Sequence, residues 1–189
     1  EIVEAGFRHV VLVGMGGSSL GPEVLRQTFG NTAGYPELTV LDSTVPAWVL
    51  AVRESIDPAR TLFLISSKSG TTTETLALFR YFKGLIEVSV GKGKTGQHFV
   101  AITDPGTPLA KLAEDERFCR IFLNPSDIGG RYSVLSYFGL VPSVLSGIDV
   151  MKLLERSDHM REACASCVPV HDNPGAWLGA YLGTLTVKG

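Results

Sequence analysis

Short apolar runs separated by amphipathic segments give this chain its first level of organisation. Continuous apolar stretches occupy residues 9–14, 38–42, 61–66, 98–103 and 120–123. They do not alternate apolar with polar positions, which is the pattern of strands covered on both faces. Between them, Pro22 opens a helical pattern over residues 22–27, Pro46 one over 46–53 and Pro108 one over 108–113. Proline suits a first helical turn because its missing N–H has no partner to lose there. A further helix, over residues 76–82, follows a hydroxyl-rich stretch after the third run. Strand–helix alternation predicts an α/β fold: a five-stranded parallel sheet between two helical layers. Right-handed crossovers bring the loops at residues 14–21, 66–73, 103–108 and 124–132 to one sheet edge, where open α/β sheets bind ligands.

After Leu123 the strand pattern stops. Residues 133–146, 149–167 and 174–188 read as helices, with Pro142 placed to bend the first. No internal repeat, linker or low-complexity segment interrupts the chain, so residues 1–189 are expected to form one domain. The strongly apolar helix around Trp177, Tyr181 and Leu182 is a candidate for a face covered by further chain. The abrupt beginning and end lead to the expectation that this is part of a larger protein.

Composition narrows the partners. The 189 residues are 44% hydrophobic and 19% charged, as in a globular domain with a sizeable core. The formal net charge is -2 and the basic residues are scattered. Neither nucleic acid nor an acidic membrane is therefore an expected partner, since both favour a clustered basic field. No signal-peptide pattern or membrane-length apolar stretch is visible. Three cysteines, Cys119, Cys164 and Cys167, suit a reducing compartment. Cys164 and Cys167 have C-x-x-C spacing, but without a second pair they read as buried or half-buried helix thiols. His9, His98, His159 and His171 are scattered, and no Ser-His-Asp arrangement emerges.

The stretch Ser67-Lys68-Ser69-Gly70-Thr71-Thr72-Thr73-Glu74-Thr75 carries the strongest chemical signal. It lies between a buried strand and a helix start, where unpaired N–H groups and the helix dipole favour an anion. Ser67, Ser69, Thr71 and Thr72 add hydroxyl donors, and Lys68 adds charge. A plain capping box between Thr71 and Glu74 would account for only two of these residues. The expected guest is a phosphate group on a small molecule. Gly14-Met15-Gly16-Gly17-Ser18-Ser19 follows the first strand, where glycine permits close backbone approach. It lacks the third glycine of a dinucleotide fingerprint and the Gly-Lys-Ser/Thr of a Walker loop, although Asp42 at the end of the second run stands where a ribose ligand would. Gly129-Gly130-Arg131-Tyr132-Ser133 places a guanidinium beside a compact backbone, either at a ligand or on a solvated turn.

In order and spacing, these three motifs resemble signatures of the phosphoglucose isomerase family. The first two are also similar to the isomerase half of bacterial transaldolase–isomerase fusions. The resemblance implies the sugar isomerase (SIS) fold with flavodoxin-like winding. It makes the chain the amino-terminal domain of a longer isomerase, with a second SIS domain outside it. It implies interconversion of glucose 6-phosphate and fructose 6-phosphate through an enediol, in the cytoplasm, without metal or organic cofactor, by a homodimer in the full-length protein. Ser67, Lys68, Ser69, Thr71 and Thr72 then correspond to a phosphate cradle, joined by Ser18. Gly17 and Gly130 correspond to close-approach positions, Arg131 to the charge that stabilises the enediolate, and Glu74 to a supporting carboxylate. The family's catalytic Glu, ring-opening His and late Lys fall beyond the matching segment. A non-catalytic phosphosugar-sensing SIS module is the alternative implied by the same cradle.

Overall fold

The computed structural model describes residues 2–188. Five parallel strands form the sheet: β1 His9–Gly14, β2 Glu37–Leu41, β3 Thr61–Ser66, β4 Phe99–Thr103 and β5 Arg120–Leu123, in spatial order β2-β1-β3-β4-β5. This is the expected α/β architecture, and its strand order is the flavodoxin-like one. Apart from half-buried His9 at the start of β1, every residue of β1, β3 and β4 is buried, so their side chains feed two cores by simple alternation. Val11, Val13, Phe63, Ile65, Phe99 and Ala101 point to one face; Val10, Leu12, Leu62, Leu64 and Val100 point to the other.

The first face is covered by α2 Pro46–Ser55, α3 Thr73–Val90 and α4 Pro108–Asp115. Helix α3 supplies Leu78, Phe79, Phe82 and Ile86 at helical spacing. Phe82 meets Phe63 with ring centroids 4.8 Å apart, and Phe79 meets Phe99 edge-on at 5.2 Å. Helices α1 Gly17–Phe29 and α5 Tyr137–Leu145 pack against each other on the second face. His98, buried at the end of a 3-10 turn, donates from Nδ1 to the Thr61 carbonyl at 2.8 Å, a structural role.

Among the helix boundaries that differ from expectation, two starts show why. Helix α1 begins at Gly17, upstream of Pro22, which lies inside it. An internal proline cannot donate to the carbonyl four residues back, here that of Ser18. Ser66 Oγ, at the end of β3, donates to this carbonyl instead at 3.2 Å. The missing helix bond thus becomes a tie between two sheet-edge loops. Farther along, α5 starts at Tyr137 rather than Ser133, because Gly130–Tyr132 forms a separate 3-10 turn and Ser136 caps the helix.

The chain divides into two compact units at the junction between Ile148 and Asp149. The second unit holds α6 Val150–Ala163, capped by Asp149, and α7 Pro174–Lys188, neither of which buries a residue. The expectation of buried helix thiols is corrected here. Cys164 and Cys167 lie past the end of α6 and are exposed, in a turn held by bonds from Val168 N to the Ala165 carbonyl and from Asn173 Nδ2 to the same carbonyl. Among the described residues, no helix is long and apolar enough to cross a membrane.

The aromatic layer under α3 sets the stability of the sheet. Replacing Phe82 with Ala should cost about 3–5 kcal/mol, read as a lower urea midpoint.

Candidate functional site

Winding reverses between β1 and β3, so the loops that follow them leave toward opposite faces. The crevice between such loops is the general ligand position of open α/β sheets. The loop after β3 turns at Gly70, whose φ is +67°. A Cβ there would lie 2.7 Å from the Thr107 Cβ and 2.8 Å from the Leu109 nitrogen, so only glycine fits. The turn seats this loop against the start of α4. Ser67 N donates to the Ile102 carbonyl at 3.0 Å, and Asp104 N donates to the Lys68 carbonyl at 3.3 Å.

The four loop hydroxyls sort into two pairs. Ser67 is buried; its Oγ accepts from Gly70 N at 3.2 Å and shares a hydrogen bond with Thr72 Oγ1 at 3.0 Å. Ser69 Oγ and Thr71 Oγ1 pair at 3.0 Å, and both residues are exposed. The first pair shapes the turn, while the second is open to a ligand. A capping box between Thr71 and Glu74 does not form. Thr72 occupies the cap position, and its side chain, drawn to Ser67, makes no cap bond. The first N–H groups of α3 are therefore left without a side-chain acceptor, the condition under which a helix start receives an anion. Glu74 is exposed in the first turn, where a carboxylate suits the dipole. The Thr75 hydroxyl is buried without a hydrogen-bond partner among the described residues.

Lys68 is brought to the loop cluster but is not a free charge. Its ammonium donates to Asp104 Oδ2 and, at 2.9 Å, to the Ser126 carbonyl. These contacts bind the loops after β3, β4 and β5 together. Asn124, fully buried, reinforces them. Its backbone N donates to the Thr103 carbonyl at 2.8 Å, and its Oδ1 accepts from Tyr137 N at 3.2 Å.

The first and third motifs meet through their backbones. A Cβ on Gly17 would overlap the Gly130 carbonyl, so the α1 start rests directly on the Gly129–Arg131 segment. The close approach that the sequence suggested for Gly17 is thus to protein backbone. Ser18, half-buried, lies in the first turn of α1, whose cap residue Gly16 supplies no side-chain bond. Ser19 turns back to the Gly16 carbonyl at 3.1 Å. Ser133 Oγ closes the third loop on the Gly130 carbonyl at 2.6 Å, and Arg131 extends from it. Arg131 is exposed and makes no ion pair among the described residues.

The α3 start without a side-chain acceptor, an exposed hydroxyl pair and a guanidinium that makes no ion pair among the described residues therefore gather at one edge of the sheet. Such a set can hold an oxyanion and stabilise a second negative charge near it. Sequence reasoning missed Asp104, Ser126, Ser66 and Asn124. Asp104 carried a faint signal, standing at the end of a buried strand before a Pro-Gly turn. His9 heads β1, Asp42 is exposed after β2, and His159 and His171 lie in the second unit. Neither His9 nor Asp42 is joined to the loop cluster by a hydrogen bond or ion pair among the described residues. Among the described residues, no group of three or more His, Cys, Asp or Glu is arranged to hold a metal ion. A cavity of about 720 Å³ lies at the other end of the sheet. Apolar groups such as Leu62, Val100, Phe122 and Leu140 line it, and none of the loop donors does.

Comparison with known proteins gives a consistent result. The family model described as phosphoglucose isomerase matches residues 3–185. The glucose-6-phosphate isomerase of Staphylococcus saprophyticus is 36% identical over 185 residues, covering 95% of this chain and 41% of that protein. The Thermus thermophilus enzyme of the same name is 39% identical over 145 residues, covering 76% of this chain and 34% of that protein. Among solved structures, a hypothetical protein from Thermus thermophilus superposes with a TM-score of 0.86 at 33% identity, covering 97% of this chain and 43% of that one. A glucose-6-phosphate isomerase from Chlamydia trachomatis gives a TM-score of 0.68 at 30% identity, covering 77% of this chain and 28% of that one. The chain thus spans about two-fifths of the first of these relatives.

The contact between the first and third loops is testable without a ligand. Gly17→Ala should push the Gly129–Arg131 segment off α1 and cost about 1–3 kcal/mol. Thermal unfolding should show the loss, and amide exchange should accelerate at residues 129–133.

Proposed function

Because the chain belongs to the phosphoglucose isomerase family, we propose that it carries the phosphate-binding and charge-stabilising half of an active site that interconverts glucose 6-phosphate and fructose 6-phosphate. The observation that carries this reading is that the loop leading into the uncapped α3 start is tied, through Lys68 and the Ser126 carbonyl, to the segment after β5 that continues to Arg131. In the reading, the phosphate sits over the first N–H groups of α3. Ser69 and Thr71 donate to its oxygens, and Ser67 and Thr72 hold the turn that presents them. Lys68 contributes its remaining N–H, and Ser18 contributes from the start of α1.

With the phosphate fixed, the sugar extends toward Gly130 and Arg131. After ring opening, a base removes a proton from C2 or C1 and returns it to the other carbon through a cis-enediol. Negative charge then develops on the substrate oxygens at C1 and C2. The Arg131 guanidinium, fixed on a backbone closed by Ser133, stabilises that charge electrostatically. Glu74 supports the start of α3 rather than moving the proton. The base and the ring-opening acid come from the part of the protein outside this chain. We assign residues 1–189 to the amino-terminal SIS portion of a longer cytoplasmic isomerase that works as a homodimer without a cofactor. The exposed apolar side chains of α7, among them Trp177 and Tyr181, are covered there by the remaining chain.

The full-length protein should convert glucose 6-phosphate to fructose 6-phosphate and incorporate solvent deuterium at C2. Absence of both would overturn the reading. Arg131→Ala should lower kcat by ~10²-fold or more while changing KM only a few-fold. A change confined to KM would make Arg131 a positioning group only.

A further inference from the structure

We infer that Asp104 is a positioning residue that restrains Lys68 and cancels its charge, so that the phosphate is held mainly by neutral donors and is released readily. This rests on the phosphosugar reading of the site. Lysine has three N–H donors. Two of those on Lys68 are committed, to Asp104 Oδ2 and to the Ser126 carbonyl, and one remains for a ligand. The same two residues are joined a second time through the main chain, by Asp104 N donating to the Lys68 carbonyl at 3.3 Å. Thr103 Oγ1 donates to that carbonyl as well, at 3.4 Å. The ammonium therefore has little freedom to swing onto an anion.

The carboxylate is an unusual partner for a purely structural tie. Asp104 is 8% exposed, and its other oxygen, Oδ1, is buried with no hydrogen-bond partner among the described residues. A buried carboxylate left half-satisfied is costly, and a neutral Asn could hold Lys68 in the same place. What Asn could not do is cancel the charge. The loops after β3, β4 and β5 contain only two cations, Lys68 and Arg131. Lys68 is neutralised, whereas Arg131 makes no ion pair among the described residues. The positive charge is thus concentrated where the enediolate forms rather than where the phosphate rests. A dianion held by a free ammonium in a partly buried site would leave slowly, and turnover would be limited by release.

The test is a charge cycle in the full-length protein, with inorganic phosphate as competitive inhibitor against the isomerase reaction. Asp104→Asn should tighten phosphate inhibition about tenfold and make it more sensitive to ionic strength. KM for the hexose phosphate should fall with it, and kcat should not rise. Lys68→Ala should weaken phosphate by a similar factor, because Asp104 then faces the anion unpaired. The double variant K68A/D104N should return to within about twofold of the wild type, since both remove one charge of opposite sign. Restoration of this kind cannot come from a merely structural role, which predicts a double variant at least as impaired as either single one. Weaker phosphate inhibition in D104N, or a double variant weaker than both singles, would overturn the inference. Wild-type protein that neither isomerises nor responds to phosphate would instead overturn the phosphosugar reading itself.

Discussion

The three central strands bury their side chains on both faces, and that single constraint organises everything else. With every position of β3 and β4 buried, their polar residues, Thr61, Ser66 and Thr103, are confined to the first and last positions. Polar chemistry is displaced to the strand ends. At the carboxyl edge it meets helix starts whose N–H groups have no intrahelical partner. An edge of this kind attracts anions before any specific side chain is considered.

On this base the chain builds a network rather than a row of independent ligands. Ser66 reaches the Ser18 carbonyl left open by Pro22. Gly17 rests on the Gly130 carbonyl because it has no side chain to prevent it. Lys68 spans to Asp104 and Ser126, and Asn124 ties β5 to β4 and to the start of α5. Each contact is modest alone. Together they fix four loops relative to one another, which is what a site needs if charge is to meet a transition state without reorganisation. The arrangement also separates two tasks. Under the proposed function, hydroxyls and amides surround the phosphate, while the cation without an ion pair stands beside the sugar.

Much of this was legible beforehand. The strands were placed to within a residue, because continuous Val, Ile, Leu and Phe runs have few other uses in a chain with alternating helices. The Ser67–Thr75 stretch, read as an anion site from its hydroxyl density, does lie at the expected strand-to-helix junction between β3 and α3. Errors arose where a local signal had a non-local resolution. Pro22 looked like a helix start, yet it sits inside α1, because a serine from another strand supplies the bond it cannot make. Thr71 and Glu74 had cap spacing, yet Thr72 took the cap position and turned its hydroxyl to Ser67. The cysteine pair fell outside the helix that its surroundings suggested.

What the amino-acid sequence determined alone was the inventory: five strands, their helices, the glycine and hydroxyl loops, and the edge on which those loops lie. These follow from patterns within a few residues, where burial and backbone preference act directly. The tertiary structure alone decided which groups meet. Lys68 and Asp104 are 36 positions apart and Ser66 and Ser18 are 48 apart, and nothing in either neighbourhood names the other. Their meeting depends on the winding that puts β1 between β2 and β3, and β4 beside β3. Charge at the site is a sum over such encounters, which is why the charge that Lys68 adds in the sequence is met in the fold by that of Asp104.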